Sequence, residues 1–247
     1  MFKMRLLSFN NPLDQPSVSY RHEEFAVRRR VCRFLLAKIG FTVLVKIDRV
    51  NGLENIPAEG PAILMMNHIG FVDPLVMVHA VPRDIVPLAK VEAYDYPIVG
   101  IFPRLWGVIP VQRDGVDRHA VQLALDVLRA GEILLVAPEG TRGPALQTPR
   151  EGAVYLASRS GTPIVPVAID TSEGFPTLPF TPRWRAPGVQ VRIGRPFRVR
   201  AAFRRARGEQ LQHMADEAMY RVAELLPPER RGVYADLSLA TRDMLEV

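Results

Sequence analysis

Short apolar runs recur along this chain, and polar, chemistry-bearing residues begin where several of them stop. Ile63–Met66, Ile85–Leu88, Val108–Gln112, Ile133–Ala137, Ile164–Ile169 and Val189–Ile193 are four to six residues long. That is too short for helices, and all but Val189–Ile193, which alternates with Gln190 and Arg192, are too continuously apolar for strands with one wet face. Helix-patterned stretches lie between and after them: Pro74–Ala80, Val116–Arg129, Glu151–Ser160 and Gln210–Leu226. In the second, Val116, Ala120, Leu123, Ala124, Val127 and Leu128 share one face, and Gly131 follows its end. In the last, Leu211, Met214, Ala215, Ala218, Met219 and Val222 do the same. Apolar strands alternating with helices predict an α/β fold, a mostly parallel mixed sheet flanked by helices. Such folds bind ligands beyond the carboxyl ends of their strands.

Three segments are expected. Residues 1–41 form a basic N-terminal segment, 42–226 a main domain and 227–247 a tail. The first twenty residues are punctuated by Pro, Asn and Ser, and little order is expected there. Residues 21–41 predict a helix whose apolar side is Phe25, Cys32, Leu35, Leu36 and Ile39, with Arg28, Arg29, Arg30 and Arg33 as its cations. A strand is expected over Val43–Val50, and Gly174–Gly188 reads as a Pro-rich connection.

Charge is distributed unevenly. The chain carries a net +6, and residues 1–50 account for all of it, with ten Lys/Arg against four Asp/Glu. A second block, Arg183–Arg207, holds nine Arg and no acidic residue. Basic residues interleaved with bulky apolar ones predict contact with an anionic membrane surface. No nucleic-acid partner is expected, because no nucleic-acid-binding motif is present. No run reaches the ~18–20 uninterrupted apolar residues of a spanning helix, and Val31–Ile47 is broken by Arg33, Lys38 and Lys46. No secretory leader is recognisable. The expected location is peripheral, on the cytoplasmic face of the cell membrane. The single cysteine, Cys32, permits no internal disulfide and reads as a packed hydrophobe.

Asn67-His68-Ile69-Gly70-Phe71-Val72-Asp73-Pro74 follows the Ile63–Met66 run. Five residues along an ideal helix turn a side chain by roughly 140°, so His68 and Asp73 meet only if the chain turns between them. Gly70 permits that turn, and Asp73 then reads as a helix N-cap with Pro74 at the first helical position. Histidine beside a carboxylate is a general base and its orienter. Arg113 closes the run that follows Gly107, and Glu139-Gly140-Thr141-Arg142 follows Ile133–Ala137. Two arginines suit a phosphate, because each planar fork binds its oxygens in pairs. Thr162-Pro163-Ile164-Val165-Pro166 enters the next strand. The other histidines (His22, His79, His119 and His213) lack metal-ligand spacing, and no metal site is expected.

Those blocks resemble, in order, the signature of the glycerophospholipid acyltransferases: Asn-His-x4-Asp at 67–73, Gly-x5-Arg at 107–113, Glu-Gly-Thr-Arg at 139–142 and Pro-x-x-Pro at 163–166. The lead-in Gly52–Pro57 and the stretch Lys90-Val91-Glu92 with Pro97 and Gly100 are also similar, so the likeness covers roughly 45–200. It implies that His68 deprotonates an acceptor hydroxyl while Asp73 holds its ring. The hydroxyl attacks a thioester directly, without an acyl-enzyme. The resemblance further implies acceptor binding by Arg113, Glu139, Gly140, Thr141 and Arg142, and an acyl or acceptor pocket shaped by Pro163, Ile164 and Pro166. The implied acceptor is 1-acylglycerol 3-phosphate and the product phosphatidic acid. The donor is acyl-CoA or an acyl carrier protein thioester, a co-substrate, with no resident cofactor. Alternatives are another lyso-acceptor, such as a lysophospholipid or lyso-ornithine lipid, or a catalytically silent membrane-binding relative. Gly143 and Ala137 depart from the common pattern, where Ser and Phe are frequent, and Arg150 could supply a cation at the next helix.

Overall fold

A computed structural model describes residues 13, 19–96, 100–113, 115–171 and 185–247. The expectations for residues 1–20 and for the 174–188 connection lie mostly outside the described residues.

The expected α/β architecture is present. Seven strands form one sheet: β1 (Ile47–Asn51), β2 (Ala62–Met66), β3 (Ile85–Lys90), β4 (Ile109–Val111), β5 (Ile133–Val136), β6 (Ile164–Asp170) and β7 (Val189–Ile193). Their order is β1-β7-β6-β2-β5-β3-β4. Pairing is parallel except between β6 and β7, so the sheet is mixed. β2 lies at its centre, between β5 and β6, and all five of its residues are buried. They serve two cores alternately. Ile63 and Met65 face one side with Leu134 and Val136 of β5, and Leu64 and Met66 face the other with Ile133 and Leu135. That two-sided burial is what made the strand runs continuously apolar.

Helices cover both faces: α1 (Ala26–Leu35), α2 (Asp73–Ala80), α3 (Ile101–Trp106), α4 (Arg118–Arg129), α5 (Gly152–Ser160) and α6 (Glu209–Ala223). α4, α5 and α6 share the core that Ile63 and Met65 enter, and α2 closes the other with Val76, Met77 and Val78. α4 starts later than its pattern suggests. The Asp117 carboxylate caps it by accepting from Ala120 N at 2.9 Å, which leaves Val116 outside and 85% exposed. α3 was not expected, because its six residues are too few to show a period. β1 starts at Ile47 rather than Val43, because the preceding helical segment runs on as wider turns over Leu36–Leu44.

The N-terminal helix presents its faces otherwise than its pattern predicts. Phe25, Arg29 and Cys32 form its buried side, whereas Val27, Val31, Phe34 and Leu35 are exposed. Arg29 is fully buried. Its Nε donates to the Trp106 carbonyl at 2.8 Å, its Nη2 to the Tyr20 hydroxyl, and Nη1 reaches the His22 ring. The guanidinium also lies over the rings of Phe25 and Trp106. Arg33 is held as well, by Asp84 at 3.0 Å and by the carbonyls of Val81 and Arg83. Two of the four expected surface cations are therefore structural. The tail 227–247 packs on the body: Tyr234 and Leu245 are buried, and a short β8 (Arg198–Val199) pairs with β9 (Leu245–Glu246).

Candidate active site

β2 delivers His68 to the carboxyl end of the sheet, and Asn67 fixes how it arrives. The Asn67 amide donates to the Ile169 carbonyl at 2.9 Å, and its oxygen accepts from Ile169 N at 2.7 Å. The chain leaving β2 is thereby fastened to β6 before it turns. Asp73 shapes the turn. Its Oδ2 accepts from Ile69 N at 2.7 Å, from Gly70 N at 2.8 Å and from the His68 ring Nδ1 at 2.9 Å. Asp73 is therefore no N-cap. It is the first residue of α2, Val72 occupies the cap position, and the carboxylate points back into the turn rather than forward along the helix.

This geometry sets the histidine's chemistry. With Nδ1–H donated to a carboxylate, the neutral ring carries its lone pair on Nε2. His68 keeps about a fifth of its side chain accessible, whereas Asp73 is wholly buried. An imidazole steadied on one nitrogen and reachable on the other can take a proton from a hydroxyl.

His68 lines a cleft together with the apolar Met66, Phe71, Pro74, Leu88, Leu135 and Ala137 and with Lys90, Arg113, Gly140, Thr141 and Arg142. Of the expected binding residues, Arg113, Gly140, Thr141 and Arg142 are brought together here. Gly140 sits at φ 69°, and a Cβ there would stand 3.3 Å from the Arg150 side chain. The Arg142 guanidinium lies 5.9 Å from the Phe71 ring centre, which aims it over the His68 turn. Lys90, in sequence only a part of the family likeness, lines the same cleft, 5.7 Å from the Tyr96 ring. A lone lysine at a strand end gives no sequence signal of its own.

Glu139 stands behind the cleft wall instead of lining it. It is 7% exposed, with Oε1 accepting from His68 N at 3.2 Å and Oε2 from Gln147 N at 3.1 Å. Gly143 N returns a bond to the His68 carbonyl at 2.9 Å. Both carboxylate oxygens are thus committed to backbone amides, and Glu139 ties the Arg142 loop to the His68 turn. Burial pushes its carboxyl up to about 7, although the Gln147 and His68 amides pull it down and the Asp73 charge adds to the rise.

Pro163, Ile164 and Pro166 do not line this cleft. Ile164 opens β6 opposite Ile63, at the amino end of β2, a strand's length from His68. Its side chain is fully buried in the core, where a β-branched residue packs on the sheet. Part of the second basic block lies at that far end. Arg198 donates to the Gly161 carbonyl ahead of β6, and Arg195, Arg204, Arg205 and Arg207 are exposed nearby in the chain.

Comparison with known proteins agrees with this geometry. A sequence profile of the family described as Acyltransferase matches residues 48–170. A 1-acyl-sn-glycerol-3-phosphate acyltransferase of Borreliella burgdorferi is 35% identical over 130 residues, 51% of this chain and 52% of that protein. One of Bacillus subtilis is 30% identical over 121 residues, 49% of this chain and 61% of that one. The matches thus span about half to three-fifths of these relatives' length. The crystal structure of the 1-acyl-sn-glycerophosphate (LPA) acyltransferase, PlsC, from Thermotoga maritima superimposes with a TM-score of 0.54. It covers 82% of this chain and 78% of that chain at 24% identity, which speaks to the fold alone. The profile match and these relatives place the chain in the glycerophospholipid acyltransferase family.

Proposed function

We propose that this protein transfers a fatty acyl group from a thioester to the free hydroxyl of 1-acylglycerol 3-phosphate, giving phosphatidic acid. The observation that carries the reading is the 2.9 Å pair of His68 Nδ1 and Asp73 Oδ2 opening on a cleft that also holds Arg113 and Arg142. In this reading Nε2 of His68 takes the hydroxyl proton as the oxygen attacks the thioester carbonyl carbon. The imidazolium is stabilised by Asp73, and the carbon–sulfur bond breaks as the carbonyl re-forms. The proton then passes from Nε2 to the leaving thiolate. Arg113, Arg142 and Lys90 hold the phosphate, and the apolar wall receives acyl carbons. The donor is acyl-CoA or an acyl carrier protein, and no resident cofactor takes part.

The names of the relatives support this acceptor, and the exposed α1 residues support a peripheral position on a membrane surface, which we place at the cytoplasmic face. Among the described residues, no helix is long and apolar enough to cross a membrane.

The test is a matrix of acyl donors and lysolipid acceptors with product read by mass. His68→Ala is expected to lower kcat by about 10²–10⁴-fold with the fold intact. Arg142→Ala is expected chiefly to raise the KM of the phosphorylated acceptor. A folded, fully active His68→Ala protein would end this mechanism. A preference for a lysolipid without a terminal phosphate would move the acceptor to the lysophospholipid or lyso-ornithine class.

A further inference from the structure

Residues 227–234 lie beyond the segment that the family profile matches. They nevertheless grip the loop that follows Arg142. Leu146 N donates to the Arg230 carbonyl at 3.0 Å, and Val233 N donates to the Leu146 carbonyl at 3.2 Å. The Arg230 guanidinium completes the hold, with Nη1 donating to the Pro144 carbonyl at 2.9 Å and Nε to Asp170 Oδ1 at 3.0 Å. Asp170 is the last residue of β6 and is nearly buried, so this anchor is part of the sheet. Gly232 adopts φ 51°, and a Cβ there would stand 2.0 Å from the Leu146 carbonyl oxygen. Backbone approaches backbone so closely that only glycine fits. Leu146 itself is 2% exposed.

The same loop reaches the reacting histidine on its other side. Gly143 N donates to the His68 carbonyl, and Gln147 N to the Glu139 carboxylate that also holds His68 N. Residues 143–147 are thus pinned from two directions, and Arg142 immediately precedes them.

We propose that residues 230–233 form a clasp that positions the Arg142 loop, with Arg230 and Gly232 as positioning residues for recognition of the acceptor phosphate. The inference rests on the acyl-transfer reading of the cleft. A loop pinned in advance binds its ligand without first being ordered, so the clasp acts on acceptor affinity. Its anchoring bonds run to Pro144, Leu146 and Asp170 rather than to the His68–Asp73 pair, so the effect is expected on the acceptor side.

The test uses the full chain and four variants: Arg230→Ala, Arg230→Lys, Gly232→Ala and, as a control in the exposed part of the tail, Leu239→Ala. Amide hydrogen exchange is followed at Gly143, Leu146 and Gln147, and kinetics are measured with donor and acceptor varied separately. Arg230→Ala and Gly232→Ala are expected to speed exchange at those amides about tenfold or more. They are expected to raise the KM for 1-acylglycerol 3-phosphate by about fivefold or more, with donor KM and kcat nearly unchanged. Arg230→Lys, which keeps a cation beside Asp170, falls between these variants and the parent, and Leu239→Ala matches the parent. If Arg230→Ala fails to fold, the other two clasp variants decide. Unchanged exchange in a folded variant, or a loss confined to kcat, overturns the clasp. A parent protein that acylates no lysolipid, with loop exchange still accelerated in the variants, retires the substrate reading and keeps only a loop-holding role.

Discussion

Asp73 and Glu139 are both buried carboxylates, and they differ in what their oxygens hold. Three donors converge on one oxygen of Asp73, two from the turn and one from the histidine ring, which locks the ring's orientation. Glu139 instead spreads its two oxygens across two loops. The pairing of Asp73 with His68 was legible in the sequence, because the two sit five residues apart around a glycine turn, but the two turn amides on the same oxygen were not, since Asp73 reads there as a helix N-cap. Nor was the Glu139 arrangement, because His68 lies 71 residues from Glu139, and a motif glutamate beside an arginine reads as a ligand. Glu139 has a measurable consequence. Its carboxyl, ordinarily near 4.5, is raised to about 7 by burial. Between these values the unfolded chain has released a proton that the folded chain keeps, so this group's contribution to stability falls as pH rises through the window. Above about 7 both states are ionised, and the cost of the buried charge is fully present. Glu139→Gln is expected to flatten that decline in denaturant titrations across the window. It should also lower stability by about 1–3 kcal/mol, since one backbone amide then faces an NH₂ group. An unchanged slope would show that Glu139 does not titrate there.

At the scale of elements, the first helix shows what periodicity can and cannot settle. The helix itself was plain from its pattern, but the side it buries was not. Arginine at position 29 counts as polar in any hydropathy reading, yet the Trp106 carbonyl and two aromatic faces take it in. With Arg29 inside, the helix turns Val27, Val31 and Phe34 outward, 53–72% exposed. Ile101 and Leu105 of α3, the helix packed against α1, are exposed too, as are the cations Arg28 and Arg30 of α1 and Lys38 of the wider turns that follow it. Apolar residues beside like-signed cations fit the interface of an anionic bilayer. Phe34→Glu is expected to reduce co-sedimentation with phosphatidylglycerol-containing vesicles by about tenfold, since an apolar anchor is replaced by a charge of the lipid's own sign. Activity on a dispersed short-chain acceptor should persist. Equal vesicle binding by the variant would remove α1 from the lipid contact.

For the whole molecule, the three segments marked by composition share their packing. Phe25 from the first segment, Leu146 from the middle and Tyr234 and Leu245 from the tail enter one core, while Cys32 enters the other beside Trp106. Composition divided the chain because charge clusters at its start, but burial follows contacts between distant residues that composition does not record. The sheet was legible for the opposite reason. Its central strands β2, β5 and β6 are buried on both faces, so each announces itself as an unbroken apolar run, whereas the strand order, with β1 and β7 running together against the other five, left no local trace. A shared core predicts a single transition, with far-UV circular dichroism and tryptophan fluorescence changing together in denaturant. It also predicts that the first helix matters to all of it. Arg29 is a fully buried cation whose donors are taken up by Trp106, Tyr20 and His22, and His22 is held down to about 4, first by burial and then by that cation. Arg29→Ala leaves a cavity and several stranded acceptors, and is expected to cost about 3–5 kcal/mol of unfolding free energy. The loss should appear in the one transition common to both probes. If instead a small early transition split off while the main one stayed in place, the N-terminal helix would be an appendage, and the common core would not extend to it.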